Sequence, residues 1–216
     1  MTFSLNEIEA MSKRAARGSG LSWGLSEEAG KASRWLASHD LAGPAALADV
    51  LTQNDQKPCK DLTPKSLDGV WQARSGTLCP LVSGAALNDC AGRLTANQAI
   101  EMENVTHPLL VVPFAAWAAI HIGVPVAVTW LDVRLVTDGF GLWVDGPKEQ
   151  LETTQPVSLT CMRAVDCEVT IAAPGHRGDV STTSWACLSD LAHRTYASAT
   201  EESRTLGAGA GTTDND

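Results

Sequence analysis

From Leu109 to Leu131 the chain runs 23 residues without one Asp, Glu, Lys or Arg. A stretch this long and uncharged either crosses a bilayer or lies in the centre of a core. Pro113, Gly123 and Pro125 interrupt it, and His121 sits inside it, so a membrane span is not expected. It divides at Gly123. Val112–Ile122 reads as a buried helix that Gly123 closes, and Val126–Val136 alternates like a strand. The rest of the chain must supply amphipathic elements to cover this piece.

Those elements stand on either side. Phe3 to Gly18 is the clearest helix: Ser4-x-x-Glu7 is a capping box, and Phe3 with Ile8 fits a hydrophobic staple. Leu5, Ile8, Met11 and Ala15 share one face, while Lys13, Arg14 and Arg17 suit the negative end of the helix dipole. A second helix is expected from Ser26, as its cap, to about His39. Gly43-Pro44 opens a third through Leu51. Thr52–Gly69 is polar and aperiodic, with three lysines and two prolines, and reads as a long loop. Val70–Arg74 reads as a strand, Leu81–Cys90 as a helix and Ala99–Thr106 as a strand. After Val126–Val136, Asp138-Gly139 turns the chain and Phe140–Val144 returns. Val157–Ala164 and Cys167–Ala172 read as a further hairpin. Thr182–Thr195 reads as an amphipathic helix with Trp185, Leu188, Leu191 and Ala192 inward.

Helices at the ends and strands between them make the class α+β, with N-terminal helices and a C-terminal helix packed on a mainly antiparallel central sheet. The expected organisation is one compact domain over 1–216. Within it, residues 1–51 form an N-terminal helical region and 52–69 a loop. Residues 70–196 form a mixed α/β region, and 197–216 a Gly-rich tail. At 216 residues such a domain buries enough surface to need no disulfide or metal.

The formal net charge is −9, and the surplus belongs to the middle and the tail. Residues 85–160 carry three basic and eight acidic side chains, whereas residues 1–84 balance at nine of each. Nucleic acid and anionic membrane are therefore not expected as partners. The N-terminus has neither a basic nor an apolar leader-like stretch, so the expected location is cytoplasmic. The six cysteines form no C-x-x-C and read as reduced thiols, and no zinc or other metal site is expected. No cofactor can be named.

Candidate chemistry concentrates at both ends. Gly20-Leu21-Ser22-Trp23-Gly24 matches the bare pattern of a nucleophile elbow. That elbow needs a strand before it, and a capped helix precedes it here, so Ser22 reads as a turn or cap residue. Near the other end Arg194, Tyr196, Glu202 and Arg204 cluster. Arginines clamp carboxylates and phosphates, and a carboxyl such as Glu202 or Glu28 serves as a general base when burial raises its pKa. Gly207, Gly209 and Gly211 would let backbone approach a ligand closely, although no helix follows to make a dinucleotide fingerprint. Asp214, Asp216 and Asn215 read as a solvated terminus. His107, before Pro108, reads as a hydrogen-bonded structural histidine.

Two segments resemble a known set of sequences. One runs Ser4-Leu5-Asn6-Glu7-Ile8-Glu9-Ala10, through Ala15-Ala16-Arg17-Gly18, to Ser22-Trp23-Gly24-Leu25 and Glu27-Glu28-Ala29-Gly30. The other is Arg194-Thr195-Tyr196, Glu202-Ser203-Arg204, Gly207–Gly211 and Asp214-Asn215-Asp216. Together they resemble an uncharacterised family of bacterial proteins described only as a domain of unknown function. The resemblance implies that the two ends are the family signature and supplies no activity. Ser198 departs from it, standing where a proline is expected.

The favoured expectation is an enzyme, or a catalytic partner, that binds a small anionic metabolite between the N-terminal helical turn and the tail. Glu202, Tyr196 and Glu28 are its catalytic candidates. Arg17, Ser22, Trp23, Arg194, Arg204, Gly207, Gly209 and Gly211 are its ligand-binding candidates. The alternative is a non-catalytic subunit, a homodimer or a partner-bound module, that docks through the Leu109–Leu131 run and the tail.

Overall fold

The structure is a computed structural model that describes residues 1–95, 98–164 and 172–196. In chain order its elements are β1 (Thr2–Ser4), α1 (Leu5–Gly18), α2 (Trp23–Ser38), α3 (Gly43–Gln53), α4 (Cys59–Leu62), α5 (Pro80–Asp89), β2 (Ile100–Val105), α6 (Val112–Ile122), β3 (Val126–Trp130), β4 (Val133–Thr137), β5 (Leu142–Asp145), α7 (Lys148–Leu151), β6 (Val157–Arg163), β7 (Arg177–Asp179) and α8 (Thr182–His193). The architecture is α+β, as its sequence predicts.

The five-stranded sheet has the order β2-β6-β3-β4-β5, and every neighbouring pair is antiparallel. The uncharged run supplies its centre. Val112, Phe114, Ala115, Ala116, Ala118 and Ala119 of α6 are buried, and α6 packs on β3 and β4. Gly123 ends α6 at φ 69°, where a side chain would be strained. Among the described residues no helix is long and apolar enough to cross a membrane.

The strand expected over Val126–Val136 is instead the hairpin β3–β4. It turns at Leu131-Asp132, with Leu131 left-handed at φ 47°. No glycine or asparagine marks this turn. It is held from outside: Gln150 accepts from the Asp132 backbone N–H at 2.8 Å and donates to the Asp132 carboxylate at 3.0 Å. The strand expected over Val70–Arg74 is reduced to single bridges at Trp71 and Ala73, because Ser75-Gly76 turns the chain away before a ladder forms. The Cys167–Ala172 strand of the expected second hairpin lies outside the described residues except for Ala172, which bridges Leu142.

The helical layer begins at α1. Ser4 accepts from the Glu7 backbone N–H, and the Glu7 carboxylate accepts from the Ser4 N–H at 2.8 Å, so the capping box is complete. The Ser4 hydroxyl, which donates to the same carboxylate at 2.7 Å, and then the Ser4 N–H hold the Glu7 carboxyl below its usual range. Ser4→Ala should lower the melting temperature by about 2–4 °C, read by circular dichroism. An unchanged melt would show that β1 rather than the cap fixes the start of α1. The helix expected from Ser26 starts earlier, at Trp23. Its cap is Ser22, extended at φ −60° and ψ 161°, while Ser26 is buried within α2 and donates to the Ser22 carbonyl at 2.7 Å. The loop 52–69 contains the short α4. α1 packs on α2 and α8, and β1 pairs with β7 in a separate two-stranded ribbon.

Candidate functional site

The turn between α1 and α2 is braced by its own side chains. Arg17 donates to the Leu21 carbonyl at 2.6 Å and lies over the Trp23 indole, 4.8 Å from its centre. Arg17 and Trp23 therefore hold each other, with Trp23 64% exposed. The segment after α3 lies against this turn, since the Gln56 N–H donates to the Ser19 carbonyl. Arg194 then ties the end of α8 to the same segment by donating to both Asp55 oxygens, at 2.7 and 2.8 Å. That guanidinium holds the Asp55 carboxyl below its usual range. Arg14 donates to the Tyr196 hydroxyl at 2.6 Å. The end of α8 is thus tied to α1 through Arg14 and to the segment after α3 through Asp55. Among the described residues no hydrogen bond links Arg17, Ser22 or Trp23 directly to Arg194 or Tyr196. Glu28 sits apart, facing α5. Burial pushes its carboxyl up, Asp89 adds to this, and Lys31 opposes it. Glu202, Arg204, Gly207, Gly209 and Gly211 lie outside the described residues.

Beneath the turn lies a cavity of about 270 Å³ walled by Ser19, Ser22, Leu25, Leu51, Leu81 and Val82. Asn54, Lys57, Leu62 and Cys79 form a wall it shares with a wider groove of about 600 Å³. The groove adds Asp61, Arg74 and Thr106. One chamber is mainly apolar. The other carries two cations and one carboxylate, in a chain whose overall charge is −9. Lys57 reaches the Asn54 side-chain oxygen at 3.3 Å, and Arg74 makes no hydrogen bond or ion pair among the described residues.

Cys79 is the cap residue of α5 and is buried in the dividing wall. Burial pushes its thiol up, and nearby Cys59 adds to this. The backbone N–H groups of Val82 and Leu81 and the Asn54 side chain pull the other way, and burial outweighs them. The thiol is protonated at neutral pH and is a weak nucleophile there. Lys57, Arg74 and Cys79 are not legible as site residues, because Lys57 lies in the aperiodic 52–69 segment, Arg74 ends an expected strand and Cys79 precedes an expected helix. The one signal was Pro80, a residue suited to the first turn of a helix. Among the described residues no group of three or more His, Cys, Asp and Glu is placed to hold a metal.

Nearly all of this cleft is built by the first 79 residues. Residues 3–79 match the model of a family described as a protein of unknown function, DUF3726. The match agrees with the resemblance carried by the N-terminal motifs. The matched segment holds α1 to α4 and, at its end, Cys79. Ser19, Ser22, Asn54, Lys57, Cys59, Leu62 and Arg74 all lie within it. No curated protein matches the chain. The crystal structure of malate dehydrogenase from Entamoeba histolytica is similar over 78% of this chain and 50% of that one, at 12% identity and a TM-score of 0.43. The chain spans about half the length of that protein, and the likeness is too distant to bear on activity.

Proposed function

We propose that the chain binds a small anionic metabolite in the cleft beside the α1–α2 turn. The observation that supports this is the shared wall of Asn54, Lys57, Leu62 and Cys79. A ligand that straddles it places an apolar body against Leu25, Leu51 and Leu81. Its carboxylate or phosphate then meets Lys57 and Arg74. Arginine offers a paired donor fork to such a group and lysine a point charge. Most small-molecule sites have this composition, a largely apolar pocket with a few placed polar groups. The buried thiol of Cys79 gives the wall a donor without committing the site to covalent chemistry.

The test is a thermal-shift panel of keto acids, hydroxy acids and phosphate esters, with neutral and cationic compounds as controls. An anion at about 100 times its Kd should stabilise the fold by about 2.7 kcal/mol, a rise of roughly 5–10 °C. Lys57→Ala with Arg74→Ala should abolish that rise and leave the unliganded melt within about 2 °C, since both side chains are exposed. A panel in which no anion shifts the melt overturns the reading, as does a double variant that responds like the parent.

A further inference from the structure

His107 is buried, 2% exposed, and neither ring nitrogen has a hydrogen-bond partner among the described residues. A buried imidazole without a partner is costly, so an unmet one marks a place where something else belongs. The ring borders a cavity of about 200 Å³ that Asp49, Glu152, Thr153 and Thr154 also line, with Ala45 and Ala46 on its apolar side. Asp49 is the nearest charge: its Oδ2 lies 3.8 Å from Nε2, beyond hydrogen-bond reach. This site is distinct from the Lys57–Arg74 cleft. No lining residue is common to the two.

The charges around it select the ligand. Burial pushes the imidazole below its usual range, more than Asp49 raises it, so the ring is neutral and keeps one acceptor nitrogen. Asp49 and Glu152 are carboxylates, and Lys148 offsets only one of them from 3.8 Å beyond Glu152. An anion is repelled. A neutral molecule leaves one carboxylate unbalanced. A monocation with several N–H donors satisfies the ring and both acids, and the alanines accept a short alkyl chain. At roughly 30 Å³ for each water-sized volume, the cavity takes a molecule of a few heavy atoms.

We propose that this cavity binds a small primary ammonium ion, held by the Asp49 and Glu152 carboxylates and by a ring nitrogen of His107. The test titrates ethylammonium chloride into the full chain by calorimetry, with the imidazole nitrogens of His107 followed by NMR. Tetramethylammonium, which has no N–H, and sodium chloride are the controls. Ethylammonium should bind and shift the His107 acceptor nitrogen, and tetramethylammonium should not. Asp49→Asn and His107→Gln should each weaken binding at least tenfold, whereas Lys57→Ala should leave it unchanged. Asp49 is largely exposed, so Asp49→Asn keeps the test valid if His107→Gln fails to fold. No binding of ethylammonium overturns the proposal. So does equal binding by the parent and Asp49→Asn, a His107 signal that ignores the ligand, or a zinc titration that outcompetes the amine.

Discussion

Gly18→Ala should melt about 6–12 °C below the parent chain. An alanine ordinarily strengthens a helix relative to glycine, by about 1 kcal/mol. Here the sign reverses, because a β-carbon on Gly18 would stand 2.8 Å from the Leu191 carbonyl carbon and closer still to its oxygen. Both are backbone atoms of α8, so no rotamer change relieves the clash. The helices must separate, which overpacks or opens the α1–α8 contact at about 3 kcal/mol. For a chain of this length each kcal/mol is worth about 2–4 °C. Separation would also carry Arg194 away from Asp55, so ligand response at the cleft should weaken with the melt. Thermal unfolding by circular dichroism is the measurement. A melt equal to the parent's, or higher, would mean that α1 and α8 do not meet as described.

Trp130→Ala should cost about 3–5 kcal/mol, a fall of about 10 °C or more. Trp130 is 2% exposed at the end of β3, and its indole N–H donates to the Gln150 carbonyl at 2.9 Å. Truncation leaves a cavity and removes the indole bond to the Gln150 carbonyl, which keeps a long bond from the Thr153 N–H at 3.4 Å. It also loosens Gln150, which holds the Leu131-Asp132 turn. Trp130→Phe separates these effects: it keeps most of the packing and loses only the indole hydrogen bond, at about 0.5–1.5 kcal/mol. Urea unfolding distinguishes the two variants. Equal midpoints for alanine and phenylalanine would show that the hydrogen bond, not the packing, dominates. Since a typical domain is stable by about 5–15 kcal/mol, the alanine variant approaches the limit of folding.

The legible elements of the fold were those with a local cause. α1 has its capping box, α6 its apolar run and closing glycine, and α8 its inward stripe. Each could be placed from adjacent residues alone. The failures share a different cause. The start of α2 shifted to Ser22 because either serine can cap, and only packing decided that Ser26 goes inside. The β3–β4 hairpin was missed because Leu131 takes a turn conformation imposed by Gln150, a residue from another element. The cleft was half legible. Ser22 stands out in the sequence and does line a cavity, yet Lys57 comes from a stretch without period, and nothing local marks Arg74 or Cys79 as its neighbours. Their meeting depends on how the chain between α3 and α5 folds back on itself, with the Cys79 N–H donating to the Leu62 carbonyl and the Ser75 N–H to that of Asp61, which no local pattern encodes. His107 reads as a hydrogen-bonded structural histidine, and the structure corrects this: neither nitrogen has a hydrogen-bond partner among the described residues, Asp49 standing 3.8 Å from Nε2.

The ribbon of β1 and β7 has a consequence for the order in which the chain folds. Thr2 pairs with Asp179 and Phe3 stacks on Trp185 at 3.8 Å, so the first strand made waits for nearly the last. On a ribosome α1 and α2 can pair early, but the side of α1 that receives α8 stays wet until residue 190 or so has emerged. Such distant pairings slow folding, because a long loop must close before any contact rewards it. The α1–α2 hairpin would therefore spend synthesis as an exposed apolar surface. The ribbon is the clasp whose closing covers that face of α1.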